Sequence, residues 1–176
     1  MSSSVRLVIV LFVVCAVAAG SLAFVNAATK DRIAGFAQTE KTEAMKAVLP
    51  QVEEFTELQP GKVWEARQAG QAAGYVLSAS TQGYSGPIEG VVGLDPQGAL
   101  TGVKVLVQTE TPGLGAKIAG EKFLGQFRGL KAGELALKKD DPSGRIDAVT
   151  AATISSRALT NALRKSIDSF EQGGQK

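Results

Sequence analysis

Residues 7–25 run without a single charged side chain, and only Gly20 and Ser21 interrupt the apolar series. At helical rise this length crosses a bilayer core of about 30 Å. A cleaved signal peptide is the other reading, because Val25-Asn26-Ala27 resembles a small-residue cleavage site. The apolar run is longer than the usual signal core of about 7–15 residues. Cys15 lies inside the run, and bulky Val13 and Val14 before it speak against a lipoprotein site. The expectation is an uncleaved single-pass anchor over residues 1–28, in contact with membrane lipid. Arg6 precedes the segment and Lys30 and Arg32 follow it, so the distribution of basic residues does not fix the orientation. Likeness to an N-in signal anchor places the rest of the chain outside the cytoplasm.

Composition removes several function classes. The 176 residues carry a formal charge of +2 and no concentrated basic stretch, so no nucleic-acid surface is expected. Histidine is absent, which excludes imidazole acid–base chemistry and histidine-ligated metals. The only cysteine is the one in the apolar run, so neither a thiol nucleophile nor a cysteine metal site is available beyond it. Any redox function must come from a bound organic cofactor.

Residues 39–49 read as a helix stopped by Pro50, and residues 52–58 as a short second helix. Together they form a helical stalk over 29–60. From Lys62 the period changes to two. Strands are expected at 63–67, 74–78, 88–94 and 100–108, the last pair joined by the turn Asp95-Pro96-Gln97-Gly98. Val103, Val105 and Val107 would face inward. Residues 117–127 read as helix, 129–139 as irregular, and 145–149 as a short strand. Strands clustered between helices give an α+β class: one N-terminal transmembrane helix, then a single domain over 61–176 with a mainly antiparallel sheet flanked by helices. Trp64 and Phe123 are read as core.

Two constellations carry chemistry. Asp147-Ala148-Val149-Thr150-Ala151-Ala152-Thr153-Ile154-Ser155-Ser156 packs four hydroxyl residues and three alanines into ten positions. It stands at the start of an amphipathic helix marked by Leu159, Leu163, Ile167 and Phe170. Helix N-termini offer unpaired N–H groups and partial positive charge, a natural seat for phosphate. A threonine there can hold a phosphate or be esterified to one. The plain alternative is helix capping, which needs one hydroxyl and which these ten residues alone favour. The second constellation is Gln108-Thr109-Glu110-Thr111-Pro112-Gly113-Leu114-Gly115-Ala116-Lys117. Gly113 and Gly115 around Leu114 let backbone approach a flat ligand, Thr109, Glu110 and Thr111 can fix polar edges, and Lys117 can complement a phosphate. An ordinary turn is again the plain alternative.

Gly83-Tyr84-Ser85-Gly86-Pro87-Ile88, then Glu110-Thr111-Pro112-Gly113-Leu114-Gly115, then Asp147 through Ser156 stand in this order behind one apolar segment. In this arrangement the chain resembles the G subunit of the Rnf ion-translocating electron-transport complex. That family is related to the C subunit of the sodium-translocating NADH:quinone reductase. The resemblance implies an FMN-binding domain whose FMN is esterified through its phosphate to a threonine. The motif Ser/Thr-Gly-Ala-Thr-x-Ser/Thr falls on Thr150-Ala151-Ala152-Thr153-Ile154-Ser155, which implies attachment at Thr153. It further implies cofactor contacts from Glu110, Thr111, Gly113, Leu114, Gly115, Lys117, Thr150 and Ser155. A flavin transferase using FAD and magnesium would recognise Asp147, Thr150 and Ala152. No catalytic residue and no metal ligand follows.

The implied role is a one-flavin electron relay in a complex that exchanges electrons between ferredoxin and NAD while moving sodium ions or protons. The other subunits of that complex are its partners, and its place is the bacterial inner membrane. Ala151 stands where the family usually has glycine, which matters if that position needs positive φ. Gln108 stands where a histidine is frequent. The competing readings are a quinone-reductase counterpart or free-standing flavin carrier, and an anchored binding module without flavin.

Overall fold

A computed structural model describes residues 3–52 and 54–173. The apolar run is helical, within α1, Ser3–Val48. Ser4–Lys30 is long and apolar enough to cross a membrane, and none of it is buried. Two hydroxyl groups within it are satisfied internally: Ser21 Oγ donates to the Val17 carbonyl and Thr29 Oγ1 to the Val25 carbonyl, both at 2.8 Å. Such four-back bonding lets a hydroxyl sit in hydrocarbon without an orphaned donor.

The chain divides into two compact units between Glu40 and Lys41. In the second unit five antiparallel strands pair in sequence order. They are β1 Glu54–Gln59, β2 Val63–Gln68, β3 Gln71–Gln82, β4 Pro87–Leu94 and β5 Leu100–Gln108. β1 replaces the second helix expected at 52–58. Only Phe55 is partly buried in this strand, and it pairs with Ala66 of β2. Edge pairing satisfies backbone groups that a helix of one or two turns would leave half unpaired. Ala69 (φ 50°) and Gly70 (φ 79°) turn β2 tightly into β3. The hairpin at Asp95 forms as expected, with Asp95 Oδ1 accepting the N–H groups of Gln97 and Ala99 at 2.9 Å.

β5 departs from simple alternation. Glu89 pairs with Val107 but Gly90 with Val105, so Leu106 is an extra residue in the strand. This bulge rotates the strand end. Val103 and Val105 face the main core, Leu106 packs against the opposite face, and Val107 is exposed rather than inward.

The expected helix at 117–127 is broken into a 3₁₀ turn Gly115–Ala119, α2 Glu121–Leu124, and a second 3₁₀ turn Gly125–Phe127. Gly120 is extended (φ −82°, ψ 148°), which ends the first turn. The expected strand at 145–149 reduces to one parallel bridge, Leu137 to Ile146.

The final helix, α3, spans Thr153–Gly173. It buries Leu159, Leu163 and Ile167 against one sheet face, alongside Phe123 and Phe127. Ser166 Oγ donates to the Ser78 carbonyl of β3 at 3.0 Å. The other sheet face is covered by Ala44, Met45, Val48, Leu49 and Val52, which pack on Trp64, Ala66, Val76 and Val91. Gly93 and Gly102 permit this closeness, since a Cβ on Gly93 would lie 2.9 Å from the Val48 carbonyl oxygen. Trp64 and Phe123 are both core residues.

Candidate functional site

The strand ends bring three separate segments together. The loop before β4, the loop after β5 and the start of α3 with the two residues before it surround a cavity of about 490 Å³. Tyr84 comes from the first, Glu110, Thr111, Leu114 and Gly115 from the second, and residues 151–155 from the third.

Glu110 ties the three together. It is 4% exposed. One carboxylate oxygen accepts the N–H groups of Tyr84 (2.8 Å) and Ser85 (3.2 Å). The other accepts the Ser155 hydroxyl at 2.7 Å. Its own N–H donates to Gln108 Oε1 at 2.8 Å, a local bond that needs no imidazole. Among the described residues it has no ion-pair partner. Hydrogen bonds therefore carry its burial, which an isolated charge could not tolerate. This explains Gly115, where a Cβ would lie 2.7 Å from a Glu110 carboxylate oxygen and 3.2 Å from Ser155 Oγ. Gly113 has a different reason. Its surroundings are open, but φ is 76°.

The four hydroxyls of the threonine cluster separate cleanly. Ser155 is committed to Glu110, so its side chain is buried structure at the cavity floor. Ser156 is fully buried; its Oγ accepts the Val149 N–H at 3.0 Å and donates to the Ala152 carbonyl at 2.9 Å. Thr150 is exposed and Thr153 is half-buried. Among the described residues neither threonine hydroxyl makes a hydrogen bond.

Thr153 is the first residue inside the helix rather than its cap. The Ala152 carbonyl accepts the first intrahelical bond, from the Ser156 N–H at 3.0 Å. The N–H groups of Thr153, Ile154 and Ser155 therefore precede the helical ladder and have no partner within it. Before them residues 149–152 make a turn, closed by the Ala152 N–H on the Val149 carbonyl at 2.9 Å. Its third residue, Ala151, has φ 62°. The glycine-favouring conformation is thus imposed on an alanine.

Three of the expected residues lie elsewhere. Lys117, Asp147 and Thr150 line a neighbouring cleft of about 760 Å³, together with Lys122, Phe123 and Gln126. Asp147 pairs with Lys138 at 2.6 Å, and its backbone N–H and carbonyl are both held by the Gln126 amide. The Ala152 side chain is buried and its carbonyl is used by Ser156. Further along α3, Arg157 grips Asp140 with two bonds of 2.6 and 2.7 Å. That guanidinium holds the Asp140 carboxyl below the usual carboxylate range, and the pairing raises Arg157 in turn.

Sequence reasoning passes over Tyr84 and Ile154 as site residues. Both line the cavity, and with Leu114 they are exposed apolar side chains, at 69%, 52% and 45%. Ile154 carries a usable signal: it lies off the stripe formed by Leu159, Leu163 and Ile167, so burial in the core does not account for it.

The FMN-binding domain family matches residues 83–168, which contain all three segments. The chain is 31% identical to the G subunit of the ion-translocating oxidoreductase complex of Methanosarcina acetivorans, over 93% of this chain and 92% of that one. It is 33% identical to the G subunit of the Na(+)-translocating ferredoxin:NAD(+) oxidoreductase complex of Acetobacterium woodii, over 94% of this chain and 91% of that one. It is also 33% identical to the proton-translocating counterpart of Clostridium ljungdahlii, over 73% and 70%. Among solved structures, the C subunit of the Na(+)-translocating NADH-quinone reductase of Parabacteroides distasonis aligns with a TM-score of 0.51 at 27% identity. That alignment covers 60% of this chain and 58% of the other, so the shared fold spans little more than half of each.

Proposed function

We propose, because this chain belongs to the family of G subunits of ion-translocating oxidoreductase complexes, that it is a membrane-anchored electron relay carrying FMN esterified through its phosphate to Thr153. The observation that carries this reading is the unbonded Thr153 hydroxyl at the edge of a cavity rimmed by exposed Tyr84, Leu114 and Ile154. The residues fit the group. Three exposed apolar side chains suit a flat aromatic ring system, since leaving them in water is unfavourable. The free N–H groups of the first turn of α3 suit a phosphate. The flavin supplies one- and two-electron transfer, and the protein supplies its placement. Glu110 fixes the three segments relative to one another, so that the rim is set before anything binds. Leu114 and Tyr84 would shield a bound ring from water.

Attachment needs a flavin transferase as a transient partner, with Asp147, Thr150 and Ala152 as its recognition residues. Asp147 and Thr150 are accessible at the neighbouring cleft. Lys117, at the same cleft, would add positive charge near the turn. Ser155 would contribute its backbone N–H, its hydroxyl being committed to Glu110. Ser4–Lys30 would anchor the chain in lipid, with the flavin domain on the extracytoplasmic side, beside the other members of the complex. Relatives aligned over more than nine-tenths of this chain are named as G subunits, which favours that complex over a quinone-reductase counterpart. One relative is named for sodium ions and another for protons, so the name alone does not assign the coupling ion.

The test is flavin fluorescence of the denatured band after co-expression with a flavin transferase. Thr153→Val should abolish it, leave the fold intact, and remove the FMN-bearing peptide from the mass map. Fluorescence that persists in Thr153→Val, or an adduct mapped to Thr150, refutes the assignment. A parent chain that never acquires flavin supports the anchored binding module instead.

A further inference from the structure

Resting on the reading of Thr153 as the attachment residue, we infer that Ser156 is a positioning residue for flavin attachment. Its hydroxyl staples both ends of the strained turn that presents Thr153. The turn at 149–152 places Ala151 at φ 62°, a region in which Cβ crowds the backbone. Glycine would occupy it freely; alanine must be held there. Ser156 lies one helical turn beyond and is fully buried. Its single oxygen accepts the N–H of Val149, the first residue of the turn, at 3.0 Å. The same hydroxyl donates to the carbonyl of Ala152, the last residue, at 2.9 Å. Both faces of the hydroxyl are therefore used, and the two ends of the turn are locked through one atom.

Thr153 follows Ala152 directly. The peptide plane that Ser156 holds therefore sets the direction of the Thr153 Cα–Cβ bond. Ser156 lines neither cleft, so it acts through the turn and not on the flavin. It also lies outside the six residues that match the attachment motif, 150–155.

In the attachment reaction the Thr153 oxygen bonds to the FMN-side phosphorus of the FAD pyrophosphate. The bond from that phosphorus to the bridging oxygen breaks, AMP leaves, and the hydroxyl proton passes to the transferase or solvent. No electron changes hands. A correctly aimed hydroxyl is what such a displacement requires, because in-line geometry governs its rate.

The experiment uses the full-length chain in detergent with flavin transferase, FAD and magnesium. Covalent fluorescence is followed in time and divided by the folded fraction from thermal unfolding. The adduct is mapped by peptide mass spectrometry. Ser156→Ala should slow labelling about tenfold, because it orphans the Val149 N–H and removes the hydroxyl donor to the Ala152 carbonyl. Adding Ala151→Gly to Ser156→Ala should bring the rate back to within about threefold of the parent, because glycine needs no staple at positive φ. A merely structural serine would not be rescued in this way. Parental labelling in Ser156→Ala overturns the inference. So does slow labelling that Ala151→Gly fails to restore in a folded double variant. Where Ser156→Ala alone does not fold, the double variant decides: parental labelling supports the staple, and slow or absent labelling overturns it. Parent protein labelled at a residue other than Thr153 instead removes the reading on which the inference rests.

Discussion

Thr153 and Ser155 lie two residues apart on the same helical turn, yet their hydroxyls have opposite fates. The Ser155 hydroxyl is buried and bonded to Glu110 at 2.7 Å. The Thr153 hydroxyl is half-buried and, among the described residues, makes no hydrogen bond. On a helix, residues two apart point to different sides. The first turn of α3 thus divides the site into an inner half that is fully bonded and an outer half that is left open. The inner half fixes shape; the outer half is free to react. Changes to the inner half should cost stability and disturb the cavity as a whole. Changes to the outer half should alter flavin chemistry at nearly constant stability.

Glu110→Ala breaks the inner half most severely. It orphans the Ser155 hydroxyl and the N–H groups of Tyr84 and Ser85, and it leaves a void. The expected cost is about 3 kcal/mol, moderated where water from the cavity reaches those donors. Glu110→Gln keeps an oxygen for the two backbone N–H groups and an amide for Ser155 Oγ, so about 1 kcal/mol is expected. Denaturant unfolding of the full-length chain in detergent measures both, with Trp64, the only tryptophan, as fluorescent reporter of the second core cluster. Equal stability of all three proteins would deny Glu110 its linking role.

Much of this division is legible in the sequence, and the missing parts have identifiable causes. The apolar anchor, the hairpin at Asp95 and the stripe of α3 follow from local period and turn chemistry. The three motifs can be seen, but not that one buried carboxylate joins them. That bond spans 45 residues, from Ser155 to Glu110, and no local pattern encodes it. The sheet edge at β1 reads as helix because Val52, Phe55 and Leu58 also fit a helical face. Pairing with β2 overrides that fit. Val107 reads as inward because the bulge at Leu106 is set by the partner strand, not by β5 itself. Thr150 groups with Thr153 by closeness in sequence, and Lys117 groups with the loop at Gly113 and Gly115, whereas the fold sends both side chains to the neighbouring cleft.

The outer half is probed by Leu114→Ala and Ile154→Ser. Both side chains are exposed at the cavity rim, so unfolding should shift by no more than about 0.5 kcal/mol. If they cover the flavin, removing them admits water to the ring and should change its absorbance and its midpoint potential. Covalent labelling should persist, because the Thr153 hydroxyl is untouched. Redox titration of the labelled variants reads this. An unaltered spectrum and potential in both would mean that the ring lies elsewhere, with the larger cleft at Lys117 and Phe123 as the next place to look.

The smallest effect lies outside both halves, at the Asp140–Arg157 pair, and it marks where the comparison stops applying. Arg157 sits on the solvent side of α3 and ties its second turn to the loop at Asp140 through two bonds. The pair is exposed, so its contribution is modest and sensitive to salt. The Asp140 carboxyl is held below its ordinary value by the hydrogen bond to Arg157 in the folded state. A carboxyl depressed by folding contributes stability that is fully present above its unfolded pKa, about 3.9. That contribution fades as the pH falls through the lower folded value. Asp140→Asn should therefore be slightly less stable than the parent at pH 7, and the difference should shrink steadily below about pH 4. Denaturant midpoints for the two proteins between pH 7 and 3 test this. A gap that stays constant or widens on acidification would show that the carboxylate charge is not what the pair contributes.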